Sequence, residues 1–371
     1  MKSSGYKYKK GLLKFAILLI SFLVIDCCGE LERSLSFPFD HGPHFDAVNE
    51  WWYFTGEVLT QNEKTLGFEF TIFKRWVGGE IGFAYLGHLA VSDPEISEHY
   101  FAEVPTFSPV PGSEAGKTEI IINNFSYSFS ESEGITLQAE AGNLTVNLLL
   151  TPAMDVLPHG RDGIIDMGDG RNSYYYSFTN LMTEGYMSVN NLEYVVSSGR
   201  TWMDHQWGNY SLFGMIWDWF SLRLEDGSAF MLFQFRNILD NVKRTNWTYR
   251  TGGGSVTYGD EFSVQATRVY EDVKGKSTYP IDWVVEVPAI DASLLVTPLF
   301  DEQSLYEVMT PRYWEGLCSV ESSINGEKIH GSAYVELTGY ANMGAKGDVG
   351  SKATCKHLDI FKQTKPVCRL S

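Results

Sequence analysis

The sequence lacks an apolar run long enough to cross a bilayer comfortably, has only five cysteines in 371 residues, and carries far fewer basic side chains (29 Lys and Arg) than acidic ones (46 Asp and Glu). Each shortage excludes something. The longest apolar stretch, residues 15–25, is too short for a spanning helix. Five cysteines without a Cys-x-x-Cys pair fit neither a disulfide-dense scaffold nor a zinc module. A formal net charge of −17 leaves no basic face for phosphates, so nucleic acid is not an expected partner. Long helical periodicity is also missing, which argues against a bundle.

What is present is aromatic. Phe, Tyr and Trp make up 14% of the chain, and 35 glycines separate short apolar alternations, the pattern of antiparallel strands joined by turns. The pattern also repeats. Trp51-Trp52-Tyr53-Phe54 with the following run Gly67-Phe68-Glu69-Phe70 has a counterpart in Trp217-Asp218-Trp219-Phe220 with Phe230-Met231-Leu232-Phe233, about 166 residues later. That distance suits a duplicated domain. The expected architecture is all-β, with two tandem antiparallel β-barrels of roughly eight to ten strands each, closed so that no edge is exposed. The expected division is a leader at 1–27, a first domain at 38–210, a second at 211–342 and a tail at 343–371. The abundance of aromatics favours a ligand cavity within a barrel over solid packing.

Among titratable residues, the tract Trp202-Met203-Asp204-His205-Gln206-Trp207 stands out, because it places a carboxyl and an imidazole among indoles. Desolvation keeps such a carboxyl protonated near neutrality, as a general acid requires. The plainer alternative is that Asp204 accepts turn hydrogen bonds and His205 caps a strand end. His41, His44 and Glu50, just before the first aromatic strand, are further candidates. For Glu50 the alternatives are a second pocket carboxyl or a buried salt bridge to Arg75 or Arg200.

The landmarks Asp40-His41-Gly42-Pro43-His44, Glu50-Trp51-Trp52-Tyr53-Phe54-Thr55-Gly56, Trp202-Met203-Asp204-His205-Gln206-Trp207-Gly208, Tyr279-Pro280-Ile281-Asp282-Trp283 and Gly331 to Tyr340 occur in that order. Together they resemble the carotenoid 1,2-hydratase and AttH-type lipocalin-like family over about residues 38–342. The resemblance implies two lipocalin-like barrels in tandem and an apolar small molecule as partner. It spans hydratases of isoprenoid double bonds, relatives that guide cyclisations, and exported proteins without assigned activity, so fold alone does not select among them. It also implies that Asp204 is the acid of an alkene hydration. Trp202 and Trp207 would then shield it, and His205 would orient it or position water. Trp51, Trp52, Tyr53, Trp217 and Trp219 would face the carbocation. This chemistry needs no cofactor. No His-x-His occurs, and the single Glu-x-x-His, Glu327 to His330, has no companion set to suggest a metal. A carrier that holds an apolar ligand unchanged is the competing expectation.

Lys2, Lys7, Lys9, Lys10 and Lys14 before the run at 15–25 read as a secretory signal. Cys27 and Cys28 follow it, where a lipoprotein would be acylated. The protein is therefore expected to be exported, either anchored to a membrane through one of these cysteines or released. Metabolic labelling with palmitate distinguishes the two: label lost on substituting Cys27 and Cys28 by Ser selects the anchored form, and no label selects the released one.

Overall fold

A computed structural model describes residues 33–340 apart from 80, 107–109, 115–116, 213, 238, 240 and 306–311. The leader, Cys27, Cys28, the tail and its Cys355 and Cys368 lie outside the described residues. Nearly every described element is an antiparallel strand, with two short 3-10 turns at Phe39–His41 and Pro288–Ile290.

The strands form two sheets, one thirteen-stranded and one ten-stranded. The first therefore exceeds the expected eight to ten, partly because two short strands, Leu157–Pro158 and Ile164–Asp166, add to the side of Asn172–Val189. Both sheets are wound alike. In the first, Asn49–Thr60 runs between Thr65–Gly78 and the last strand, Leu192–Gly208. In the second, Met215–Leu224 runs between Ala229–Asn237 and the last strand, Glu327–Thr338. First and last strands thus pair in each half, giving two tandem lipocalin-like barrels. Closure is less complete than expected: among the described residues no ladder joins the outermost strands, Glu98–Thr106 and Val110–Glu114 in the first sheet or Val256–Gly259 and Ser263–Asp272 in the second.

Alternation explains the interiors. Leu144–Pro152 and Ser277–Val287 bury every second residue, so one face of each sheet fills a barrel and the other meets solvent. Trp52, Phe54, Phe70, Tyr127 and Leu148 belong to the apolar cluster of the first barrel, and Phe220, Trp283, Val296, Trp314 and Leu337 to that of the second. The walls holding the paired first and last strands behave differently, because there the barrels pack against each other and both faces are buried. A third cluster, including Tyr53, Tyr175, Trp202, Trp219, Phe233 and Tyr334, occupies the layer between the walls. Arg223 ties the walls together by donating to the carbonyls of Thr55 and Arg200. The cavity expected inside a barrel is instead found in this layer, because apolar side chains take up the barrel axes and the bulky aromatics on the outward faces of the two walls meet imperfectly.

Phe54 is fully buried against Phe70 and Tyr127, with ring centroids 5.9 and 5.6 Å away. Phe54→Ala is expected to destabilise the protein by about 3–5 kcal/mol in urea unfolding. A loss below about 1 kcal/mol would contradict a close-packed first barrel.

Candidate functional site

Tyr53 lies opposite Asp204 in the register of the first sheet, and both side chains point into the layer between the barrels. The Asp204 carboxyl accepts three hydrogen bonds there. Tyr175 Oη donates to Oδ2 at 2.6 Å, Trp202 Nε1 donates to Oδ1 at 2.6 Å, and the Ser177 hydroxyl also donates to Oδ1. Trp219 Nε1, from the second barrel, donates to Tyr175 Oη at 2.9 Å. Behind Ser177 stands His159, whose Nε2 is 2.6 Å from Ser177 Oγ and whose Nδ1 is 3.0 Å from Thr248 Oγ1. Because the Ser177 proton goes to Asp204, Ser177 must accept from His159 Nε2–H, which leaves Nδ1 to accept from Thr248. Burial lowers His159 to about 3, so it is a neutral imidazole that fixes Ser177.

Burial raises the Asp204 pKa to about 7, the neighbouring Glu336 adds to the rise, and the three hydrogen bonds only partly offset it. The result is a carboxyl that holds its proton up to neutrality in the wall of a cavity of about 70 Å³. Trp51, Tyr53, Trp217, Trp219, Phe233 and Phe235 are among the rings that line it, and Asp204 and Glu336 are its two carboxyls among the described residues. Below them lies an acidic layer. Tyr53 Oη donates to Glu315 Oε1 at 2.6 Å, the Thr71 hydroxyl donates to Glu69, and Trp217 Nε1 and Thr338 Oγ1 donate to Glu336 Oε1 at 3.1 and 2.8 Å. Burial raises Glu336 to about 7 and Glu69 to about 8, and it pushes Glu315 well above the usual carboxylate range.

His205 is not part of this site. As the neighbour of Asp204 on a strand it points the opposite way, into the first barrel, where Nε2 is 2.9 Å from Glu50 Oε1 and Nδ1 is 3.1 Å from Tyr176 Oη. His41, His44, Glu50, Trp52 and Trp207 are on that side too. His41 Nδ1 meets Tyr176 Oη at 2.7 Å, Trp52 Nε1 donates to the His41 carbonyl at 3.1 Å, and Trp207 stacks on His44 at 3.9 Å. Glu50 pairs with Lys74 at 2.6 Å rather than with Arg75 or Arg200, since Lys74 is its register partner in the adjacent strand. Burial opposes ionisation of Glu50, but hydrogen bonds from His205 and His44 bring its pKa to about 2, and burial lowers His205 to about 4.

His44, Glu50 and His205 approach closely enough to hold a metal ion. Their ring nitrogens are already bonded to Asp40, Glu50 and Tyr176, and the Lys74 ammonium sits on the same carboxylate. A cation would have to displace that ammonium, so the set fits an ion network better than a metal centre.

Of the side chains expected in the site, then, Asp204, Trp51, Tyr53, Trp202, Trp217 and Trp219 come together between the barrels, and His205, His41, His44, Glu50, Trp52 and Trp207 form a separate network inside the first. Tyr175, Ser177, His159 and Glu336 were not anticipated. The repeat carried a signal for Glu336 alone: Trp219 is the counterpart of Tyr53, and Glu336 is its register partner.

A chain of two lipocalin-like barrels with a buried acid between them defines the class, and comparison places it more closely. The AttH-like family profile matches residues 29–340, and the chain belongs to that family. It is similar to the kievitone hydratase of Fusarium solani subsp. phaseoli, at 22% identity over 211 residues, covering 54% of this chain and 58% of that protein. It is similar also to the dehydratase asqC of Emericella nidulans, at 22% identity over 211 residues, covering 54% of this chain and 60% of that protein. The chain thus matches less than two thirds of the length of these curated relatives. Among solved structures, an AttH-type protein of Nitrosomonas europaea superposes with a TM-score of 0.75 at 28% identity, over 84% of this chain and 98% of that one. Kievitone hydratase from Nectria haematococca shares the fold, with a TM-score of 0.69 at 16% identity over 82% of this chain and 93% of that one.

Because the folded Asp204 pKa is about 7 against an ordinary value of 3.8, its contribution to stability is complete below about pH 4 and is lost as pH rises to 7. Asp204→Asn should therefore gain stability relative to the parent across that window, by an amount on the order of 4 kcal/mol, in denaturant titrations at a series of pH values. A difference independent of pH would mean that Asp204 is ionised throughout.

Proposed function

We propose that this protein adds water to, or removes it from, a trisubstituted alkene at the branched end of an apolar, isoprenoid-type ligand, with Asp204 as the proton donor. The observation that carries this reading is a carboxyl held protonated near neutrality in an aromatic-walled cavity between the barrels. The names of the two curated relatives, a hydratase and a dehydratase, describe the forward and reverse directions of such a reaction.

Proton transfer from Asp204 to the less substituted alkene carbon breaks the Asp O–H bond, forms a C–H bond from the π pair and leaves a tertiary cation. Tyr53, Trp51, Trp217 and Trp219 present rings to that cation, each contributing roughly 0.5–2 kcal/mol where water is excluded. A water molecule then supplies the electron pair of the new C–O bond. Tyr175, Ser177 and Trp202 do not touch the reacting carbons. They hold the carboxyl in place and stabilise the carboxylate that forms when it gives up its proton. The cavity has room for several waters, so the nucleophile can be stored beside the acid. Export of the protein, and its tether through Cys27 or Cys28, belong to the same proposal and rest on residues 1–28.

Kievitone and a phenol bearing a dimethylallyl group are suitable probes. The parent protein is expected to hydrate at least one of them, and Asp204→Asn is expected to lower kcat by about 100-fold or more while binding persists. Binding without turnover in both forms would instead establish a carrier.

A further inference from the structure

The duplication places two carboxyls at corresponding positions. Tyr53 is the register partner of Asp204 in the first sheet, and Trp219, its counterpart in the repeat, is the register partner of Glu336 in the second. The rings of Tyr53 and Trp219 meet edge to face across the layer, with centroids 5.1 Å apart. Asp204 and Glu336 line the same cavity from facing walls. Trp217 and Thr338 both donate to Glu336 Oε1, so its other oxygen is the one left for a bound molecule.

We propose that Glu336 is the second catalytic carboxyl of this cleft, accepting the proton of the attacking water while Asp204 protonates the alkene from the opposite wall. The inference rests on the hydration reading above and assigns the step that reading leaves open. As the water oxygen bonds to the tertiary carbon, one of its O–H bonds breaks and that proton passes to the Glu336 carboxylate. The turnover ends with Asp204 ionised and Glu336 protonated, and transfer of one proton between them through cavity water restores the starting state. Run backwards, Glu336 protonates the departing hydroxyl and Asp204 removes the proton from carbon, so the same pair serves dehydration.

The surroundings favour one proton for the pair. Two carboxylates facing each other across a cavity lined largely by aromatic side chains resist double ionisation, so the protons come off in separate steps that belong to the pair. The other titratable groups facing them are Glu69, Glu315, Tyr53, Tyr175 and Tyr313, all raised by burial, Glu69 to about 8 and Glu315 well above the usual carboxylate range. Burial favours the uncharged form of each of these, and His159 behind Ser177 is neutral as well. Asp204 and Glu336, each at about 7, are left as the pair able to exchange a proton there.

Glu336→Gln tests the assignment with the dimethylallyl phenol as probe. The parent should show a bell-shaped kcat profile, falling at low pH as Glu336 is protonated and at high pH as Asp204 ionises. In Glu336→Gln, kcat should drop by about 100-fold or more with KM little changed, and the acid limb should vanish while the alkaline limb remains. A variant that keeps kcat, or keeps the acid limb, overturns the role of Glu336 and leaves the hydration reading intact. A parent inert toward the probe would instead count against the hydration reading. The pairing is then decided without turnover, by carbon-13 carboxyl NMR of the full chain. In Glu336→Gln the Asp204 midpoint should move down, because the Glu336 carboxylate is what opposes the second ionisation, and an unmoved midpoint overturns the inference.

Discussion

A strand buried on both faces divides neighbouring residues between two compartments, and the chemistry of this protein depends on that division. In each barrel the first and last strands form a wall whose inner face belongs to an apolar core and whose outer face meets the other barrel. Residues 204 and 205 are adjacent in the chain, yet one carboxyl faces Tyr175 and Trp219 while the next imidazole faces Glu50 and Tyr176. Both compartments are buried, so each polar group is governed largely by what the opposing strand supplies.

The two compartments treat charge in opposite ways. Inside the first barrel, Glu50 has Lys74 and two histidines within hydrogen-bonding distance, and this compensation keeps it ionised despite complete burial. Between the barrels, Asp204 has hydroxyl and indole donors and a second acid nearby, and there the neutral form prevails to about pH 7. The same physics of desolvation acts on both carboxyls, and what decides the outcome is that Lys74 bonds Glu50 while the donors to Asp204 among the described residues are uncharged. The ion network fastens the segment Asp40–Glu50 to the first wall, and the neutral layer leaves a proton available to a ligand.

Much of this was legible in the sequence. Short alternating runs, turn-forming glycines and a repeat near 166 residues pointed to two antiparallel barrels, and Asp204 stood out by its aromatic neighbours. Reading the tract 202–207 as a single cluster was the weak step, because strand periodicity sends residues 202, 204 and 206 one way and 203, 205 and 207 the other. Trp51 and Trp52 separate for the same reason. Lys74 was missed in favour of Arg75 by one residue of register, which a hairpin whose loop length is read from sequence alone does not determine. Tyr175 and Ser177 depend on the pairing of Asn172–Val189 with Leu192–Gly208, which contains register shifts, and His159 depends on a short added strand. No local pattern encodes those placements.

The chemistry proposed for this cleft requires that the Asp204 carboxyl keep its proton below about pH 7 in the aromatic layer between the barrels. Infrared difference spectroscopy of the parent protein against Asp204→Asn at pH 6 tests it most directly. A carboxylic-acid C=O band is expected that is present only in the parent and fades as pH rises through about 7. A difference spectrum showing only carboxylate bands at pH 6 would contradict it.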